Sequence, residues 1–387
     1  RARSVTAEAF LEAAEAVGLP ANADFNGAEQ DGVGFYQVTQ NDGKRHSTAV
    51  GFLHPVADRP NLTVETHLHV TRVLFEGTRA VGVEALRLSD VLEFTAEREV
   101  LVCGGTYNSP QLLTLSGLGR PEELELLQIP LVAESPGMGL NLSDHPTAGL
   151  TCVINTEDSL MGALNDDNLA AWMQGGGPLT SNVGESGGFY RTSDELQVPD
   201  VQFHMVPAMF EQEGLVPPPA HGFTLSVCVL RPESRGQVAV VSPDPTTKPL
   251  IIHNYLDDPR DVRSIVKGVQ KAMEIVASEP LAGFVEAGHV VPESASDEDV
   301  EAFVRRTMQT IYHPVGTCKM GTDPLAVVDP ECRVHGVEGL RVIDASVFPS
   351  VPRGNTNAPT IALAERAADL IRGRTTAAPG AAGALAG

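Results

Sequence analysis

A chain of 387 residues, 42% hydrophobic and 20% charged, is long enough for two hydrophobic cores and has the composition of an ordinary globular protein. Lys+Arg 27 against Asp+Glu 50 leaves a net charge of −23 with no clustered cations, which argues against a nucleic-acid partner. The five cysteines form no CxxC pair, so neither a disulfide framework nor a metal site is favoured. No apolar run reaches the roughly 18 residues a membrane span needs, and a cytoplasmic location is expected.

In chain order, Phe10, Leu11, Ala14 and Val17 fall at helical spacing and Gly18 closes the pattern, predicting a helix over 5–18. A short helix is expected from Thr48 to Leu53, ended by His54-Pro55. Three strands are predicted at 62–66, 69–77 and 80–88, where apolar and polar residues alternate. Val100 to Cys103 is apolar enough for a buried strand, followed by a glycine turn and a helix from about Ser109. Beyond Pro136, β patterns at 149–156, 200–210, 223–232, 236–243 and 249–256 follow one another without crossover helices, which predicts an antiparallel sheet. An amphipathic helix over 258–278 carries Val262, Ile265, Val266, Val269 and Met273 on one face, and a second spans about 297–310. The last helix has Pro359 in its first turn, Thr356 or Asn357 as its cap, and Ile361, Ala364, Ala368 and Ile371 as its buried stripe.

Chemistry concentrates near the C-terminus. YHPVGTCKMG (312–321) puts a histidine beside a proline and a glycine turn, and GLRVIDAS (339–346) is a strand ending in an acid. Gly104-Gly105, after the Val100 strand, is a turn where backbone can approach a ligand, although strand–glycine–helix turns are common. No GxGxxG follows a strand; GMGLNL (137–142) lacks the third glycine. Residue types alone therefore do not establish a dinucleotide-binding fold.

Four stretches together, GTYNSPQLLTLSGLG (105–119), GMGLNLSDH (137–145), YHPVGTCKMG (312–321) and GLRVIDASVFPSVPRGNTNAPTIALAERAADLI (339–371), resemble the glucose–methanol–choline (GMC) flavoprotein oxidoreductases. Gly-Asn-Thr-Asn-Ala-Pro in the last stretch is similar to the choline and alcohol dehydrogenase branch. The resemblance implies an α/β FAD-binding part and an α+β substrate domain with a mostly antiparallel sheet. Residues 1–135 would be the central part of the FAD domain, 136–310 the substrate domain, 311–373 the C-terminal part of the FAD domain, and 374–387 a flexible tail. Because GxGxxG and an initiator methionine are both absent, the FAD part is expected to be incomplete, lacking an N-terminal segment of the same enzyme.

The resemblance implies FAD-dependent oxidation of an alcohol, with oxygen or a quinone as electron acceptor. His313 matches the family's catalytic histidine and Asn355 its second active-site residue. A positioned imidazole accepts a proton near neutrality, and an asparagine amide can hold an oxygen as it gains charge. Val70, Gly104, Gly105, Asp344, Ala345, Thr356 and Asn357 match cofactor-contacting positions. Without the resemblance, Val70 is an ordinary strand valine, Asp344 a turn former and Asn357 a plain helix cap. Glu185 matches an acid near the substrate cavity, with a structural hydrogen-bonding role as the more ordinary reading, and His204 lies on a strand whose alternate residues can face that cavity. His145 and Cys318 read as structural. Two rival functions are a hydroxynitrile lyase on the same fold, against which Asn355 in place of a second histidine speaks, and a truncated non-catalytic module.

Overall fold

The computed structural model describes residues 2–210 and 214–374, so the tail expected beyond Thr375 lies outside the described residues. The chain divides into two compact units, each assembled from three stretches. One comprises 1–64, 145–233 and 256–311; the other comprises 65–144, 234–255 and 312–387.

The first unit is built on one antiparallel sheet with strands in the order Gly32–Phe35, Ser186–Tyr190, Val201–Val206, Gly222–Val229, Pro146–Ile154 and Val285–Val290, with Gln309–Thr310 also paired to Pro146–Ile154. Phe203, Met205, Phe223 and Leu225 are fully buried in its centre. The helix Pro259–Val276 packs across three of these strands and buries Val262, Ile265, Val266 and Val269, as its periodicity predicts. The helix Val5–Ala16 is capped by Ser4, whose side chain accepts from the Ala7 N–H. Ser186–Tyr190 was not predicted as a strand because SGGFY offers little β propensity. A Cβ at Gly187 would lie 2.1 Å from the Phe203 carbonyl, so close strand approach requires glycine there.

The second unit holds a three-stranded antiparallel sheet, His69–Glu76, Arg79–Arg87 and Asp90–Thr95, and a parallel pair, Val100–Val102 with Leu340–Val342. Its core joins Val73, Val100, Val102, Leu113, Val327, Val342 and Val347 around Cys318. The strand expected at 62–66 is absent; the chain there is irregular and turns at His67, whose φ is +57. The third strand of the sheet, Asp90–Thr95, follows a turn through Leu88 (φ +58) that carries no glycine to announce it.

Two segments sit differently from the boundaries expected from sequence. Residues 1–64, expected with the cofactor part, join the large sheet because Gly32–Phe35 forms its edge. Residues 234–255, expected with the substrate domain, form the hairpin Gln237–Ala239 with Leu250–Ile252 inside the second unit, tied there by the Leu142–Gly236 bridge.

Candidate active site

The two parallel strands of the second unit end side by side, one at Cys103-Gly104-Gly105 and the other at Asp344-Ala345. Carboxyl ends of parallel strands are where α/β folds present backbone to ligands. Asp344 ties the two ends together: its Oδ2 accepts from the Gly105 N–H at 3.0 Å and the Ser109 hydroxyl at 2.6 Å, and its Oδ1 from the Ser346 N–H at 2.8 Å. Both carboxylate oxygens are thus engaged inside the fold, and Asp344 acts by shaping the Gly105 turn. Gly105 has φ +80 with open space where a Cβ would stand, a conformation other residues rarely adopt.

Gly105 also opens the helix Gly105–Leu115, four residues before the start expected at Ser109. Pro110 lies inside that helix and has no N–H for the Thr106 carbonyl. The Thr317 hydroxyl supplies the missing donor at 2.5 Å, while the Thr106 hydroxyl donates to the Pro314 carbonyl at 2.7 Å. These two bonds fasten the His313-Pro314 segment to the first turn of the helix.

His313 is 9% exposed, and its Nε2 lies 3.3 Å from the Asn355 amide nitrogen. An amide nitrogen only donates, so this placement leaves Nε2 as the lone-pair side of a neutral ring. Burial pushes the His313 pKa down to about 4, opposed by the nearby charge of Asp144. At pH 7 the ring is neutral and able to take a proton. Asn355 sits on an exposed loop directly ahead of the helix Asn357–Ile371, so the helix N-terminus and the imidazole share one edge of the unit.

The structure therefore brings His313 to Asn355, with Thr356 and Asn357 beside them in the chain, and Gly104-Gly105 to Asp344-Ala345. The Thr106–Pro314 and Thr106–Thr317 bonds connect the two groups. Val70 is exposed on the strand His69–Glu76, which packs on the Gly105–Leu115 helix. Glu185 and His204 belong to the other unit. The Glu185 carboxylate accepts from the Ser4 N–H at 2.7 Å and the Ser181 hydroxyl at 2.6 Å, which secures the start of the first helix. His204 lies against the Tyr36 ring, with centroids 5.3 Å apart. His145 is fully buried with Nε2 3.1 Å from the Leu230 carbonyl, and Cys318 is a core residue whose thiol pKa burial drives far up. Sequence reasoning missed Asp144, Tyr255, His253, Thr106 and Thr317; Asp144 stands inside the NLSDH stretch, beside the His145 that drew attention instead.

The family models of GMC oxidoreductase match residues 1–147 (N-terminal domain) and 232–364 (C-terminal domain). The chain is 42% identical to an alcohol dehydrogenase [acceptor] of Pseudomonas putida over 94% of this chain and 68% of that protein. The chain belongs to the GMC oxidoreductase family. An oxygen-dependent choline dehydrogenase of Paraburkholderia xenovorans (strain LB400) is 44% identical over 95% of this chain and 66% of its own length. The chain thus spans about two thirds of the length of these curated relatives. Among solved structures, a formate oxidase of Aspergillus oryzae RIB40, studied for modification of its FAD, superposes with a TM-score of 0.87 at 26% identity, over 95% of this chain and 70% of that chain.

FAD is the cofactor of this GMC family, and the residues present fit it. Gly104, Asn355, Asn357 and Ala358 are exposed, and no atom lies within 4 Å of a Cβ built at Gly105 or Gly354. The Asn357–Ile371 helix starts with no side-chain cap from Thr356, and its positive end suits an electron-rich heterocycle. No described helix is long and apolar enough to cross a membrane.

Proposed function

We propose that this GMC chain carries the catalytic edge of an FAD-dependent oxidation of a primary or secondary alcohol to a carbonyl. The observation that carries the reading is the His313–Asn355 pair, 3.3 Å apart at the head of the last helix. FAD, when bound, supplies the acceptor for the hydride that leaves the alcohol carbon.

The chain's own residues divide the remaining work. His313, neutral at pH 7, takes the hydroxyl proton on Nε2, the nitrogen that faces Asn355. The Asn355 amide N–H, which meets that nitrogen in the free protein, is placed to hold the substrate oxygen as negative charge grows on it. Thr106, Thr317 and Asn141 keep the pair in register: the first two pin Pro314, and the Asn141 amide donates to the Gly316 carbonyl at 3.3 Å and the Pro349 carbonyl at 3.2 Å. Val70, Gly104, Gly105, Ala345, Thr356 and Asn357 would face FAD through backbone and small side chains, with Asp344 fixing the Gly105 turn. The likeness to alcohol and choline dehydrogenases supports a small alcohol as substrate, with oxygen or a quinone-type carrier as electron acceptor.

In the FAD-loaded protein, His313→Ala is expected to slow flavin reduction by an alcohol about 10²–10⁴-fold under anaerobic mixing. Asn355→Ala is expected to slow it about 10²-fold. Reduction at an unchanged rate in His313→Ala removes the base from the mechanism. Cyanohydrin cleavage without flavin bleaching replaces oxidation by the lyase reading.

A further inference from the structure

Asp144 is 3% exposed and directly follows Ser143, which forms an isolated antiparallel bridge with Val315. Ser143 and Val315 exchange both backbone hydrogen bonds there, at 3.0 and 2.8 Å. The chain enters this pairing through Tyr312, whose φ of +64 is a left-handed conformation that a bulky side chain rarely adopts. Such a backbone persists only where its surroundings over-determine it. Asp144 is part of those surroundings: its Oδ1 accepts from the His313 N–H at 3.0 Å.

The other oxygen is held as well. Tyr255 donates its hydroxyl to Oδ2 at 2.5 Å, and His253 Nδ1 lies 3.9 Å from the same atom. The His253 ring stacks on Tyr255 with centroids 4.6 Å apart and planes 13° apart, and its Nε2 is 3.2 Å from the Tyr107 hydroxyl. A buried carboxylate with both oxygens fixed is a directed charge, aimed at the segment that carries the base.

We propose that Asp144 is the positioning residue of the base. It fixes the Tyr312–His313 turn and supplies the negative charge that stabilises His313 once it has taken the substrate proton, while Tyr255 and His253 hold its second oxygen. This rests on the reading of His313 as the base. The groups around the pair are Asp144 on one segment, His253 and Tyr255 after the strand Leu250–Ile252, Tyr107 on the helix Gly105–Leu115, and the uncharged Asn355. The Arg235 guanidinium adds a positive charge next to the same loop, donating to Asn141 Oδ1 at 3.2 Å. Asp144 draws the His313 pKa upward against burial, in keeping with this role.

Two substitutions move His313 in opposite directions. Asp144→Asn keeps an acceptor for the His313 N–H but deletes the charge, so the imidazolium is disfavoured. Tyr255→Phe keeps the charge but deletes a hydrogen bond that attenuates it, so the imidazolium is favoured. The ¹⁵N spectra of histidine-labelled chain, with His313 assigned by comparison with His313→Asn, are followed from pH 4 to 8. His313 is expected to begin protonating at the bottom of that range in the parent, to stay neutral throughout in Asp144→Asn, and to titrate at higher pH in Tyr255→Phe.

In the FAD-loaded protein, Asp144→Asn is expected to move the acid limb of flavin reduction down by about one pH unit. A role in folding alone would lower the rate without moving that limb. The proposal is overturned if neither the titration nor the limb moves in Asp144→Asn. Should that variant not fold, Tyr255→Phe decides alone, and no upward movement overturns the proposal. If His313→Ala leaves flavin reduction unchanged while the two variants still shift the His313 titration, the coupling stands and the assignment of the base falls.

Discussion

Replacing Thr317 by valine probes how the His313 segment is fastened to the second unit. Thr317 is fully buried, and its hydroxyl reaches the carbonyl that Pro110 leaves without a helical partner. Valine keeps the shape and removes the donor, so the Thr106 carbonyl remains buried without that bond. Stranding a buried polar group costs about 1–3 kcal/mol. For a domain of some 150–250 residues, each kcal/mol reads as about 2–4 °C in Tm. Thr317→Ser keeps the hydroxyl and loses one methyl, for about 1 kcal/mol.

The decisive comparison adds Pro110→Ala, which restores an N–H at the position that should bond the Thr106 carbonyl. In that background Thr317→Val is expected to cost markedly less than it does alone. Thermal and urea unfolding of the four combinations give the coupling energy directly. The reasoning is refuted if Thr317→Val costs no more than Thr317→Ser, or if Pro110→Ala leaves its cost unchanged.

Two further outcomes follow from the same site. His313 has its pKa depressed to about 4 in the folded state against an ordinary 6.5, so its contribution to stability is present above pH 6.5 and is lost as pH falls toward 4. The size is roughly 3 kcal/mol, and His313→Gln should flatten the fall in unfolding free energy across that window relative to the parent, as read by urea unfolding at several pH values. Among the five thiols, Cys103 is exposed beside Gly104 and the other four are buried. One thiol is therefore expected to react with a disulfide reagent in the native protein and five after unfolding. The native reaction is slow because desolvation and the Asp344 charge push that thiol's pKa up to about 11. Cys103→Ser should abolish it, and added FAD should slow it further; a native reaction indifferent to FAD places the cofactor away from Gly104.

Family membership and the His313–Asn355 pair were legible in the sequence because both rest on short contiguous motifs. The helix Pro259–Val276 was legible too, since its apolar residues contrast sharply with charged ones at helical spacing and Asp258 caps it. The last helix was placed correctly but its face was not. Of Ile361, Ala364, Ala368 and Ile371, Ile371 does pack inward but Ala364 is exposed, and the other inward residues are Leu363 and Ala367, packed with Cys332 and Ile343. An alanine-rich helix has little polarity contrast between its faces, so the neighbouring surface chooses the one to bury.

What the sequence determined by itself was local: periodicity, caps, and the motif that marks a histidine. Tertiary structure decided everything that depends on partners remote in the chain. The helix at Gly105 starts before its proline because a hydroxyl 211 residues away satisfies the carbonyl that the proline abandons. Residues 234–255 join the second unit because their hairpin finds its bridge at Leu142. Asp144 acquires meaning only when His313, 169 residues later, turns its N–H toward it. Hydrogen bonds and charges act over a few ångströms of space, and only the fold sets which residues come within that reach.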